Sequence, residues 1–171
     1  MRAYEYVGPD ELLQLVNKSS DRFLIQSEAE VRSWAKQTKQ QLNGEEEIIA
    51  TFIVDIKGRL WIADRHSEHV VCAAGAPVLS AGEMTFHFAK GATKVSAVTN
   101  QSTGFCPEPE SWASVEKVLN EVGLIHPQKF TTCFDFRLCI GCGAINLVKE
   151  DWFICSMCDA ELEPQWNFSR A

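Results

Sequence analysis

The chain has 171 residues, 46% of them hydrophobic with five tryptophans, and a formal net charge of −7. That length suits one domain of ordinary size plus a small appendage. The apolar content excludes global disorder, and the acidity argues against wholesale binding of a phosphate backbone. No stretch nears the roughly 18 apolar residues of a membrane span, and residues 1–8 carry no signal-peptide run. Of seven cysteines, four stand in metal spacing. The remaining three, Cys72, Cys106 and Cys133, are an odd number that does not suit a disulfide framework. A cytoplasmic protein that does not enter a membrane is expected.

Residues 4–7 form a short expected strand. Gly8-Pro9-Asp10-Glu11 then opens a helix over 9–17, with proline near its first position and carboxylates at the positive end of the dipole. Leu12, Leu13, Leu15 and Val16 would be its buried face. Residues 18–21 read as a turn and 23–25 as a short apolar segment. Ser27-Glu28-Ala29-Glu30 is a capping box for a second helix over 27–42, ended by Asn43-Gly44. Val31, Trp34, Ala35 and Leu42 recur there at helical spacing.

Strands follow at 48–55 and 60–63, joined by the turn at 56–59. Residues 64–69 are polar and read as a loop. The small apolar run 70–76 suggests close packing against a neighbouring backbone. Further strands are expected at 84–88 and 95–98, with a turn at Lys90-Gly91. The loop 100–104 leads to a helix over 109–122, opened by Pro109 and closed by Gly123. Residues 130–138 alternate with period two, Phe130, Thr132, Phe134, Phe136 and Leu138 on one side.

Cys139-Ile140-Gly141-Cys142 follows that strand with no linker, and Cys155-Ser156-Met157-Cys158 comes twelve residues later. Two Cys-x-x-Cys turns at this separation read as one four-thiolate zinc site, closed and structural. Gly143 and Asp159, each just after a pair, are residue types that tolerate positive φ. A redox dithiol would instead open a helix in a βαβ unit, and no such pattern is present. Within the insert, 145–148 and 152–154 are expected as the arms of a hairpin turning at Lys149-Glu150-Asp151. Residues 139–171 hold Lys149 and Arg170 against Glu150, Asp151, Asp159, Glu161 and Glu163, so the ribbon itself is acidic.

Two upstream clusters carry residues suited to chemistry. His66-Ser67-Glu68-His69 with Cys72 contains the His-x-Glu half of a zinc-deaminase signature, but the Pro-Cys-x-x-Cys half is missing. A second metal site from His66, His69, Cys72 and Cys106 is one alternative. The plain alternative is two loop histidines and two small hydrophobic thiols. In the stretch 100–112, Ser102 or Cys106 paired with His69 would make a nucleophile and base, and Glu110 completes a candidate pocket. Turn residues leading into a proline-capped helix account for the same stretch without chemistry.

The run from His69 to Gly82, with Gly75, Ala81 and Gly82, resembles a segment of the plant IQ-motif calmodulin-binding proteins. Ser102, Pro107, Glu110 and Trp112 are similar to that family's later stretch, which also opens a helix. The resemblance covers about residues 50 to 125. It implies a shared fold and site but no calmodulin binding, since Gly104 stands where the family has histidine and the basic IQ helix is missing.

The expectation is therefore an α+β chain, with an α+β domain over 1–138 and a zinc ribbon and tail over 139–171. A mainly antiparallel sheet would be covered by helices. Cys139, Cys142, Cys155 and Cys158 would hold one structural Zn²⁺. The favoured function is an adaptor that binds a protein partner through the acidic ribbon, with Trp152, Phe153 and Trp166 as anchors. The alternatives are a small enzyme or ligand-binding domain with a pocket around His69, Ser102, Cys106 and Glu110, and nucleic-acid binding through the ribbon.

Overall fold

The computed structural model describes residues 1–16 and 21–168. Its elements run α1 (Asp10–Leu13), β1 (Arg22–Ile25), α2 (Glu28–Gln37), β2 (Glu47–Asp55), β3 (Leu60–Asp64), α3 (His69–Cys72), β4 (Val78–Ala89) and β5 (Ala92–Val98). A 3₁₀ turn (Pro109–Ser111), α4 (Trp112–Val122), β6 (Asp135–Leu138) and β7 (Ile145–Val148) complete it. The first five strands form one antiparallel sheet in the order β1-β3-β2-β4-β5, and β6 pairs with β7. The fold is α+β.

Strand β2 is central because its run of β-branched and aromatic residues can be buried on both faces. Ile48, Ala50, Phe52 and Val54 point to one face, where Val31 and Trp34 of α2 and Val115, Val118 and Leu119 of α4 cover them. Trp34 meets Phe86 edge-on, with centroids 6.1 Å apart. On the opposite face Ile53, Ala63, Val78 and Ala81 pack under Tyr4, Val70, Cys72 and Phe105. This second layer is made of the one-turn helices α1 and α3 and irregular chain.

The expected cap forms at Ser27, but Glu30 reaches back one residue further, to Gln26 and not to the Ser27 N–H. Glu30 N–H donates to Ser27 Oγ at 3.4 Å, while the Glu30 carboxylate accepts from Gln26 N–H. The helix stops at Thr38, whose ψ of 147° is extended, so Leu42 lies beyond it and is half exposed. The expected helix over 9–17 shrinks to a single turn. Leu12 and Val16 pack on the second face, but Leu13 and Leu15 are exposed, and one turn with no buried residue cannot propagate. Asn17, residues 18–20 of the expected turn and the tail 169–171 lie outside the described residues.

The largest departure in the sheet is β4, expected at 84–88 and running over twelve residues from Val78. Ser80, Ala81 and Gly82 hide its first half from a propensity argument, and the packing explains them. A Cβ on Gly82 would stand 2.0 Å from the Thr99 carbonyl oxygen, so only glycine admits that backbone.

Residues 130–134 are not the first half of a nine-residue strand. Thr99 bridges Thr132, and the Asn100 side chain takes the hydrogen bonds of Phe134. The ribbon hairpins are also redrawn. Arm 145–148 pairs backward with β6, Leu138 opposite Ile145, and residue Ile154 bridges forward to Glu161. Each Cys-x-x-Cys turn thus closes its own hairpin, because the chain must reverse at each knuckle to aim two sulfurs at one point.

The segment after the second knuckle returns over β6. Arg137, 8% exposed, donates to the carbonyls of Phe136 (2.7 Å), Glu163 (3.1 Å) and Pro164 (2.8 Å). Asn167 accepts from Leu138 N–H at 2.8 Å and donates to its carbonyl at 2.7 Å, acting as a short strand partner. Trp166 Nε1–H donates to the Cys106 carbonyl at 2.7 Å, and Phe136 and Phe168 bury together beside it.

Candidate metal centre

Cys139, Cys142, Cys155 and Cys158 converge with all four sulfurs within 4.8 Å of one another. Cys139 and Cys158 sulfurs are 3.6 Å apart, and those of Cys142 and Cys155 are 3.7 Å apart. A tetrahedron with metal–sulfur bonds of about 2.3 Å has edges of about 3.8 Å. The donor set and spacing therefore fit a tetrahedral thiolate-bound ion.

The two knuckles share one backbone pattern. Cys139 N–H donates to Ala144 O and Gly143 N–H to Cys139 O, at 2.9 and 2.8 Å. Cys155 N–H donates to Ala160 O and Asp159 N–H to Cys155 O, at 2.8 and 3.0 Å. The fifth residue of each turn is left-handed, Gly143 at φ 76° and Asp159 at φ 57°, as their residue types foreshadow.

Donors aim at the sulfurs. Met157 N–H approaches Cys155 Sγ at 3.4 Å, and the Asn146 amide approaches it at 3.5 Å. Met157 N–H first, with Cys158 N–H and the Asn146 amide adding to it against burial, holds the Cys155 thiol below the usual range. Asn146 also donates to the Ala144 carbonyl at 3.0 Å and accepts from Ser156 N–H and Oγ–H at 3.0 and 3.2 Å. It ties the strand leaving one knuckle to the loop of the other, a supporting role for a metal site. Sequence reasoning passed over Asn146. Its one signal is a polar residue inside the apolar arm Ile145-Asn146-Leu147-Val148.

The second metal site does not form. Among the described residues the four ribbon cysteines are the one convergent group of metal-ligating side chains. His66 is exposed and pairs with Asp64 at 2.9 Å. The buried Cys72 thiol faces the Trp61 carbonyl at 3.7 Å and is pushed up to about 12 by burial. Cys106 faces the Thr103 carbonyl at 3.3 Å, and burial raises it too. Neither is an available thiolate at neutral pH.

His69 donates from Nε2 to the Gly82 carbonyl at 3.0 Å, and burial lowers its pKa, so the ring is neutral at pH 7. It does meet the 102–110 loop. His69, Thr103 and Gly104 line one cavity with Tyr6 and Glu68, of about 40 Å³. That space holds water rather than substrate, since ligand sites measure roughly 300–1,000 Å³. Ser102 is buried, and Glu110 lies in a different groove, beside Arg2, Asp135 and Trp166. Among the cavities formed by the described residues, His69 and Glu110 line different ones, and neither Ser102 nor Cys106 lines either of these two.

No helix among the described residues is long and apolar enough to cross a membrane. Protein-family models, curated proteins and solved structures give no match to this chain, so the resemblance of residues 50–125 to the plant IQ-motif proteins gains no family support, and the four-cysteine centre stands on its own geometry.

Proposed function

We propose that this is a zinc-binding protein whose ribbon and tail, residues 139–171, serve as a protein-interaction module carried by the domain over 1–138. The metal would be one structural zinc. Four thiolates close the coordination shell, leave no position for a reacting water, and suit a borderline-soft ion without redox chemistry.

One observation carries the interaction reading. After Met1, the most exposed large apolar side chains among the described residues are Ile140 (76%), Met157 (75%) and Trp152 (70%), and all three belong to the ribbon. Ile140 follows Cys139 and Met157 precedes Cys158, so they flank two of the converging sulfurs. Apolar side chains on a braced scaffold lose little conformational entropy when a partner covers them. Phe153 and Trp166 drop out as anchors. Phe153 lies under the Arg137 guanidinium, 5.6 Å from ring centroid to Cζ, and Trp166 packs against Tyr4 and Phe168.

A photo-cross-linking residue at position 157, with the same group at the exposed Ile56 turn as control, tests this reading in cells. It predicts discrete protein adducts from position 157 that disappear with Cys142→Ser. Equal adducts from position 56, or none from 157, would refute it.

A further inference from the structure

The carboxylates of this protein fall into two groups. Outside the ribbon many are paired: Glu108 with Arg2 at 2.7 Å, Asp55 with Arg59 at 2.7 Å, Glu28 with Arg32 at 3.2 Å. Within the ribbon, Glu150, Asp151, Asp159, Glu161 and Glu163 are all exposed, and none makes an ion pair among the described residues. Lys149 is the one cation among residues 139–168. Four thiolates on a divalent ion would add a further charge of about −2.

One of these carboxylates, Asp159, lines a cleft in the ribbon, and Glu150 and Asp151 directly precede its Trp152 in the chain. A groove of about 260 Å³ runs beside β7, with Leu147, Trp152 and Ile154 as its apolar lining, Asp159 and Lys149 among its polar lining, and Cys155 reaching it. A volume of that order takes a side chain or two, not a cofactor. An apolar slot in a field of unpaired negative charge favours one kind of occupant. Burying a branched aliphatic side chain against Trp152 supplies affinity, and flanking cations supply steering and discrimination. An anionic partner meets the opposite field.

We infer that this groove docks a lysine- or arginine-rich protein segment, with one aliphatic side chain seated against Trp152 and a basic side chain beside Asp159. This rests on the interaction reading above and names the partner's chemistry. Glu150 and Asp151, at the turn next to Trp152, extend the negative field.

The test uses the full metal-loaded chain and three synthetic 12-residue peptides: lysine and serine with two leucines, the same with serine for leucine, and the same with glutamate for lysine. Binding is followed by calorimetry and by acrylamide quenching, which reads Trp152 because the other four tryptophans are buried or half-buried. The lysine–leucine peptide should bind and shield Trp152, and each altered peptide should bind at least about tenfold more weakly. Trp152→Ala should cost about tenfold. Glu150→Gln with Asp151→Asn and Asp159→Asn should weaken binding and flatten its salt dependence.

Equal binding by the glutamate peptide, unchanged affinity in Trp152→Ala, no binding up to millimolar peptide, or displacement of the peptide by single-stranded RNA would each overturn the inference. Those outcomes leave the cross-linking test standing. Loss of specific adducts at position 157 would instead remove the interaction reading itself.

Discussion

Replacing Asn100 by alanine gives the sharpest stability test. The side chain is fully buried and makes three hydrogen bonds: Nδ2–H to the carbonyls of Pro107 (2.9 Å) and Phe134 (2.8 Å), and Oδ1 from Phe134 N–H (2.7 Å). It joins the end of β5 to the loop before α4 and to the approach of β6. Each bond contributes about 1 kcal/mol net, and an orphaned buried N–H costs about 1–3 kcal/mol, so a loss of about 3 kcal/mol is expected. For a chain of this size that lowers the melting temperature by about 6–12 °C. Asn100→Asp should be no better at neutral pH, because it sets a carboxylate oxygen against two carbonyls. Scanning calorimetry on the three proteins reads the effect, and hydrogen exchange should show faster exchange at Phe134 N–H. A drop under about 2 °C, or an aspartate variant as stable as the native protein, would refute the assigned network.

Gly82→Ala should destabilise by about 1–3 kcal/mol in urea titration, because its Cβ would meet backbone atoms of Thr99 and Asn100 and not a yielding side chain. Gly44→Ala, where a Cβ meets nothing within 4 Å, should stay within about 0.5 kcal/mol; a similar loss at both sites would contradict the packing argument. His69 contributes a pH dependence of definite sign. Burial lowers its pKa below the ordinary 6.5, so below that value the unfolded chain binds more protons and stability falls as pH drops through this window. Denaturation at pH 7.5 and 5.5 should show a smaller loss for His69→Gln, which keeps an N–H donor for Gly82; an equal loss would place the titration elsewhere.

Much of this organisation is legible in the residues, and the misses have physical causes. The two Cys-x-x-Cys pairs announce their convergence because ligand spacing is a local property. Ser27 and Glu30 announce a helix start for the same reason. The hairpin partner of β7 is ambiguous in sequence because 145–148 suits either neighbour as a strand, and only closure of the first knuckle selects β6. The first half of strand β4 is hidden in sequence, since Gly82 is small for contact with the 99–100 backbone, Ser80 pairs with the Ser111 hydroxyl at 3.0 Å and Ala81 packs in the second-face core, none of them chosen for strand propensity. Leu13 and Leu15 matched a helical stripe, yet a stripe is buried only if a partner surface reaches it.

The 102–106 loop mixed turn formers with reactive side chains, and sequence alone could not separate the two roles. In space it is fastened by structure. Val7 N–H donates to Gly104 O at 2.8 Å, Tyr6 lies over Gly104, and Phe105 is fully buried. Asn100, Asn146 and Asn167 do the polar joining, and an isolated asparagine in a sequence carries no mark that distinguishes such a role from a surface turn.

The proposed zinc ion is held by the four converging sulfurs. Elemental analysis with native mass spectrometry, on protein purified without chelator, measures it directly. The account predicts about one zinc per chain, lost in Cys142→Ser. A folded protein with no bound metal, or with stoichiometric iron in place of zinc, would contradict it.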